Sequence, residues 1–370
     1  MRQKQQGFTI IELMIAIAVT LVMMAAAMMV YQRSVQVSGV VNTRAEMQAE
    51  LRAATEQIAR DLNQAGTGLP IGGFPLPSAV TGGTDPLLAC DATPKCYLPN
   101  TVNVGSGVLY KVVPEDSIGP NTTENTDGIV ITYLEPVSSD PTDPNASGTA
   151  PNWITPTAQT GTVSADGSTI TMPSTLSPKL DDPTVGLVIG DLLWIQNAHG
   201  SALGVVTSFD PTQNTITFGK DPLNFNQLNA PVGSIPALAN PGTNPAVYPD
   251  VTVQRVMMVT YFLQAFDTPN GTDYRLMRQV GARTPTPVAE HIEDLQFTYD
   301  VFDDSSGVLN VNLPTAATGT PPVSKPNQIR KINMTITARS SRPNAQGNFD
   351  RLSITTSIGP QNLSYHEKYN

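Results

Sequence analysis

The sequence predicts an α+β fold: a long N-terminal helix packed on an antiparallel β-sheet, with a large loop-rich β insertion. Three observations predict it. An apolar run from Phe8 to Val30 passes without a break into a stretch whose apolar residues recur at three- and four-residue steps. Beyond residue 107, short segments alternate apolar and polar residues at period two between Gly, Pro, Asn and Asp clusters. Pro (32) and Gly (28) are abundant for 370 residues, as expected of turns and long polar loops.

The totals narrow the function classes. Charged residues make up 14% of the chain and the formal net charge is −10. Nucleic acid is a poor partner for such a chain, because phosphate binding needs clustered Lys and Arg. Motifs for nucleophile, phosphate or zinc chemistry are missing: no Gly-x-Ser-x-Gly, no P-loop, no His-Glu-x-x-His. The reading is therefore non-enzymatic, with no cofactor and no metal site.

The elements follow in order. Residues 1–7 carry Arg2 and Lys4 ahead of the apolar run, which keeps that tip on the cytoplasmic side. The run from Phe8 to Val30 has the length of a membrane-spanning helix. A secretory signal peptide is the competing reading, with Ala25-Ala26-Ala27 as its small-residue site. An h-region is shorter, and Glu12 would sit badly in one. A carboxylate at membrane depth costs about 2.5–3.5 kcal/mol, so Glu12 needs a reason.

The helical pattern continues through Val37, Val40, Val41, Met47, Leu51, Ala54, Ile58, Leu62 and Ala65. Arg52–Glu56 and Glu56–Arg60 are i,i+4 pairs on the polar side. Gly66, Gly68 and Pro70 stop it. The predicted helix spans residues 8–65, about 85 Å, with a bend expected at Gly39.

Residues 66–250 read as a separately composed insertion. Between Arg60 and Arg255 there is no Arg, and the only Lys residues are Lys95, Lys111, Lys179 and Lys220. Strands are expected at 108–113, 128–134, 162–172, 190–195, 202–208 and 215–218, forming a β-meander. Asp166-Gly167 is a two-residue hairpin signal. Cys90 and Cys96 are close enough for a local disulfide in an oxidising compartment. Two oxygen-rich stretches stand out, Asp140, Asp143 and Asn145 in one and Asp303 and Asp304 in the other. They could hold Ca²⁺, but they lack an EF-hand pattern and read as solvated turns. Residues 251–370 alternate again, at 251–266, 274–280, 295–302, 329–338 and 351–357. The sheet they form is expected to bury Val256, Met258, Tyr261 and Leu263 against the helix.

Gly7-Phe8-Thr9-Ile10-Ile11-Glu12-Leu13, with its short basic leader and continuing helix, resembles the prepilin processing motif of type IV pilins and type II secretion pseudopilins. The resemblance implies cleavage by a prepilin peptidase between Gly7 and Phe8 and N-methylation of Phe8. It also implies that Glu12 pairs with the amine of a neighbouring subunit and sets filament register. Glu12 would then be a buried charge tolerated because it is paired. Arg60-Asp61-Leu62 with Ala65-Gly66, Tyr274 to Arg278, Ile292 to Tyr299, and Ile329 to Ile332 resemble segments of PilW-family minor pilins. GspJ-type pseudopilins share that pattern. The implied partners are other major and minor pilins and the inner-membrane assembly platform. The implied location is the inner membrane, with the C-terminal domain extracytoplasmic and on the pilus after assembly. Residues 66–250 resemble no known family and form a candidate adhesive surface. A major pilin is disfavoured, because subunits repeated many times are compact.

Overall fold

The computed structural model describes residues 9–70, 72–77, 108–116, 119–120, 125–134, 160–176, 179–183, 186–223, 225–227, 233–239, 250–269, 271–304, 306–315, 317–318, 323–324, 326–344, 347–360 and 362–363. Gly7, Phe8, the Cys90–Cys96 pair, Asp140, Asp143 and Asn145 lie outside the described residues.

Helix α1 (Ile10–Gln64) runs unbroken through Gly39. The strands that follow are β1 (Phe74–Pro75), β2 (Val108–Leu109), β3 (Val112–Glu115), β4 (Gly128–Leu134), β5 (Thr162–Val163), β6 (Thr169–Thr171), β7 (Leu192–Asn197), β8 (Gly200–Val205), β9 (Ser208–Asp210) and β10 (Thr215–Thr217). A short helix, α2 (Ile235–Ala239), precedes β11 (Thr252–Thr268), β12 (Gly271–Val280), β13 (Thr286–Glu290), β14 (Ile292–Asp303) and β15 (Val308–Leu313). Two small strands, β16 (Ala317–Thr318) and β17 (Val323–Ser324), lead to a 3-10 turn (Pro326–Gln328), β18 (Ile329–Arg339) and β19 (Arg351–Ile358). The α+β class is borne out.

Two antiparallel sheets flank the helix end. One has the order β13-β12-β11-β4-β3, and β7 pairs with β11 and β8. The other has the order β15-β14-β18-β19. Strand β11 organises the first sheet. Its N-terminal part, Thr252–Val256, pairs with β7, and Val259–Thr268 pairs with β12 on the same edge, where the Ala282 N–H donates to Gly190 O (2.8 Å). The opposite edge, Val256–Tyr261, takes β4. The composition boundary at residue 250 therefore falls inside one sheet. Strands from 108–134 and 192–205 are hydrogen-bonded into the same surface as 252–290.

The expected meander is split in the same way. Strands β7 and β8 join the large sheet, while β5, β6, β10 and β9 form a small sheet of their own. That small sheet has a separate core, which includes Ile170, Leu180, Ile195, Ile216, Phe218 and Leu238.

The main core joins α1 to both sheets. Met47, Leu51, Ala54, Ile58 and Leu62 are buried at steps of three and four, against Ile129, Ile131, Val259, Leu263, Leu295, Ile332 and Ile336 among others. One expectation fails here. Tyr261 and Leu263 face the helix, but Val256 and Met258 belong to a different core on the other side of the sheet, with Phe74 and Phe225. Successive strand residues point to opposite faces, so even- and odd-numbered positions of one regular strand cannot share a face.

The predicted Asp166-Gly167 hairpin also differs in detail. Thr162 pairs with Thr171 and Val163 with Ile170, so the connection is longer than two residues. The Asp166 carboxylate accepts hydrogen bonds from Ser164 Oγ (2.7 Å), Ser168 N (3.1 Å) and Ser168 Oγ (2.8 Å). These donors, Ser164 first, hold its carboxyl down at about 2. The side chain builds the turn, and a type I′ backbone is not required.

Candidate functional site

The functional element is α1, whose two halves differ in environment. Every residue from Thr9 to Asn42 is exposed, including Ile10 (80%), Met24 (70%) and Val30 (68%). An apolar surface of this size with no cover among the described residues marks a membrane or protein contact. The helix is long and apolar enough to cross a membrane.

Glu12 has a local partner. Thr9 is the N-cap, and its backbone N–H donates to Glu12 Oε2 (3.1 Å) while the Glu12 N–H donates to Thr9 Oγ1 (3.3 Å). The Thr9 hydroxyl also donates to Glu12 Oε2 (3.0 Å). This is a capping box, which satisfies two of the orphan donors at a helix start. The signal was present in the sequence as Thr9-Ile10-Ile11-Glu12, the S/T-x-x-E pattern.

The other end of α1 is anchored by a buried polar group. Asp61 is 2% exposed. Tyr133 on β4 donates to its Oδ1 (2.9 Å), and Tyr261 on β11 donates to its Oδ2 (2.6 Å). Arg278 on β12 donates through Nε to Oδ2 (2.9 Å) and through Nη2 to Oδ1 (3.4 Å). Three adjacent strands therefore converge on one carboxylate. Burial, and then the Asp61 charge, push both tyrosine hydroxyls well above the usual phenol range. Burial alone would lower the Arg278 value, but the hydrogen bond and charge of Asp61 outweigh it and raise it. Bidentate Arg–carboxylate geometry gives direction as well as energy, so the network fixes the axial position and rotation of the helix on the sheet. Sequence reasoning did not find it. The available signal was Asp61 itself, three residues after Ile58 on the buried stripe.

A second cluster sits where α1 leaves the sheet. His291 occupies the corner between β13 and β14 at φ 57. Its Nδ1 is hydrogen-bonded to Asp273, which also accepts from Arg339 Nε (3.1 Å). The Arg339 N–H donates to His291 O (2.9 Å), which helps hold the left-handed backbone. A cleft of about 160 Å³ beside it is lined by Glu46, Glu50, Glu290, His291, Arg339 and Ser341. The hydrogen bond that His291 donates to Asp273 raises the His291 value above its ordinary 6.5. Burial raises Asp273, but the His291 hydrogen bond and its other partners outweigh this and lower it overall.

Linkage fixes the sign of the pH effect. The His291 contribution is complete below about pH 6.5 and is lost as pH rises through its raised folded value. The Asp273 contribution is present above about pH 3.9 and is lost as pH falls through its lowered folded value. The thermal midpoint is expected to fall between about pH 6 and 8 in the parent chain. In His291→Asn, which tolerates the same backbone, that fall should flatten. An unchanged pH profile in the variant would remove His291 from the account.

Asp303 and Asp304 sit in a turn, as expected, but Asp303 is buried rather than solvated and only Asp304 is exposed. Asp303 Oδ2 accepts from Ser306 Oγ (2.9 Å), and the Gly307 N–H donates to Asp303 O (2.7 Å), closing the turn from β14 to β15.

Residues 2–28 match the family model for the prokaryotic N-terminal methylation motif. No curated protein and no solved structure matches the chain. The matched stretch covers Gly7, Phe8, Thr9 and Glu12 and most of the exposed apolar helix. This motif is the N-terminal signature of pilin- and pseudopilin-type proteins processed by prepilin peptidase, and it lies here on a helix long and apolar enough to cross a membrane.

Proposed function

We propose that the chain is a structural minor pilin of the PilW type, acting in type IV pilus assembly as a priming or tip subunit. One observation carries the reading. A single helix is bare and apolar over its first half, and its second half is locked into a β domain by Asp61. A rod of about 82 Å with one end rigidly held suits lateral packing among other pilin helices. Before assembly the N-terminal half lies in the inner membrane as a single span, with the β domain extracytoplasmic. Prepilin peptidase removes residues 1–7 and methylates Phe8. The Glu12 carboxylate then exchanges its Thr9 donors for the amine of a neighbouring subunit on the assembly platform. The part of 66–250 that lies outside the shared sheet serves as an interaction surface, with Cys90 and Cys96 bridged within it.

The test is a clean deletion strain scored side by side for sheared surface pili and for secreted proteins. Loss or strong reduction of pili with normal secretion is the expected result. Normal pili with failed secretion would place the chain among type II secretion pseudopilins instead. The intact mass of the mature chain should begin at a methylated Phe8, and Gly7→Val should retain the leader. Glu12→Val should still be cleaved but should fail to restore pili to the deletion strain. Full restoration by Glu12→Val would overturn the register role.

A further inference from the structure

Glu115 is the last residue of β3 and is 2% exposed. Both of its carboxylate oxygens are buried and have no hydrogen-bond partner. Four more buried side-chain oxygens in the same region also lack partners: Thr126 Oγ1, Tyr299 Oη, Asn327 Oδ1 and Gln328 Oε1. Their placement in the fold brings them together. Glu115 pairs with Gly128, two residues after Thr126. The turn Pro326–Gln328 packs against both β3 and β14, and Tyr299 lies on β14. Burial and then the charges of Asp127, Glu115 and Asp116 push the Tyr299 hydroxyl up, so it shares the electrostatic surroundings of Glu115.

Buried polar groups in folded proteins are paired with protein, water or an ion. Here the unpartnered atoms are all oxygens. Only one of the side chains carries a formal charge, and burial pushes its carboxyl well above the ordinary range. A shortage of cationic charge at this junction explains both facts.

We propose that Glu115, Thr126, Tyr299, Asn327 and Gln328 form a site for a hard divalent cation, Ca²⁺. An all-oxygen donor set of carboxylate, amide and hydroxyl groups in irregular geometry suits Ca²⁺. Mg²⁺ demands near-ideal octahedral coordination and keeps its waters. Affinity follows the charge count. Among the described residues no three His, Cys, Asp or Glu side chains gather as metal ligands. A site with one carboxylate belongs at the weak end, with a dissociation constant of about 10⁻⁴–10⁻³ M. The ion would tie edge strand β3 of the first sheet to β14 of the second. The ligands span positions 115 to 328, so no local motif announces them. The inference stands apart from the pilin reading, since it concerns the β domain alone.

The test uses the full chain in detergent, stripped with chelator and then titrated with CaCl₂ alone. At about tenfold above the stated dissociation constant, the thermal midpoint is expected to rise by about 2–5 °C. Glu115→Gln keeps the shape and removes the charge. It should fold without the ion and show no Ca²⁺-dependent rise. Gln328→Ala, at the turn, should fold and shift half-saturation several-fold higher. No rise in the parent chain would overturn the site and leave Glu115 as a neutral, water-bridged acid. An equal rise in Glu115→Gln would also overturn it, and would direct attention to Asp140 and Asp143. An equal response to MgCl₂ would overturn the assignment to Ca²⁺.

Discussion

Asp61→Ala is expected to destabilise the β domain by about 3–5 kcal/mol, the range for breaking a buried ion pair from one side. The substitution strands two buried tyrosine hydroxyls and a guanidinium at once. Arg278 retains some access to water (21% side-chain exposure) where Asp61 has almost none (3%), so most of the loss comes from the tyrosines and from the helix itself. Tyr133→Phe and Tyr261→Phe should each cost about 0.5–1.5 kcal/mol or somewhat more, because their acceptor is charged. The double change Asp61→Leu with Arg278→Met should recover much of the single-mutant loss, since apolar replacement of a whole buried pair is often near neutral. Urea unfolding of the full chain in detergent gives these values. A loss below about 1 kcal/mol for Asp61→Ala would mean that apolar contacts alone seat the helix.

Ile58→Ala should cost about 2–5 kcal/mol, whereas Val40→Ala on the same helix should stay within about 0.5 kcal/mol. Ile58 is fully buried between α1 and the sheets, and deleting its outer carbons leaves a cavity among rigid neighbours. Val40 is 46% exposed and lies outside the main core. The same unfolding measurement serves for both. A comparable loss at Val40 would show that the bare half of α1 also packs on its own domain.

Helix α1 was legible almost to the residue. Three- and four-residue spacing, Gly66 and Gly68 report local preferences, and the chain obeys them from Ile10 to Gln64. Most strands were legible for the same reason. What failed was pairing. Ile129 and Tyr261 lie far apart in sequence, yet they are register partners, and alternation within each segment carries no information about that. The split of Val256 and Met258 from Tyr261 and Leu263 was available from parity alone and was missed. The Asp61 network was half visible, as an acidic residue on an apolar stripe. Its partners Tyr133, Tyr261 and Arg278 could not be assigned, because only the order β4-β11-β12 brings them together. Strands β13 and β15 escaped notice because Thr286–Glu290 is short and Val308–Leu313 is exposed on both faces.

The Asp61–Arg278 bond spans 217 positions, and Leu363, near the other end of the chain, is also buried in the main core. At about 5–20 residues per second of synthesis, the helix waits about 10–40 s for Arg278 alone. Throughout that interval Met47, Leu51, Ile58 and Leu62 have none of β13, β18 and β19 to cover them. A nascent chain tethered by its apolar run is held at a bilayer while its greasy stripe is still uncovered. Delay, more than equilibrium stability, is then the hazard the molecule faces, and slowing translation after residue 65 should raise aggregation or proteolysis more than any surface substitution.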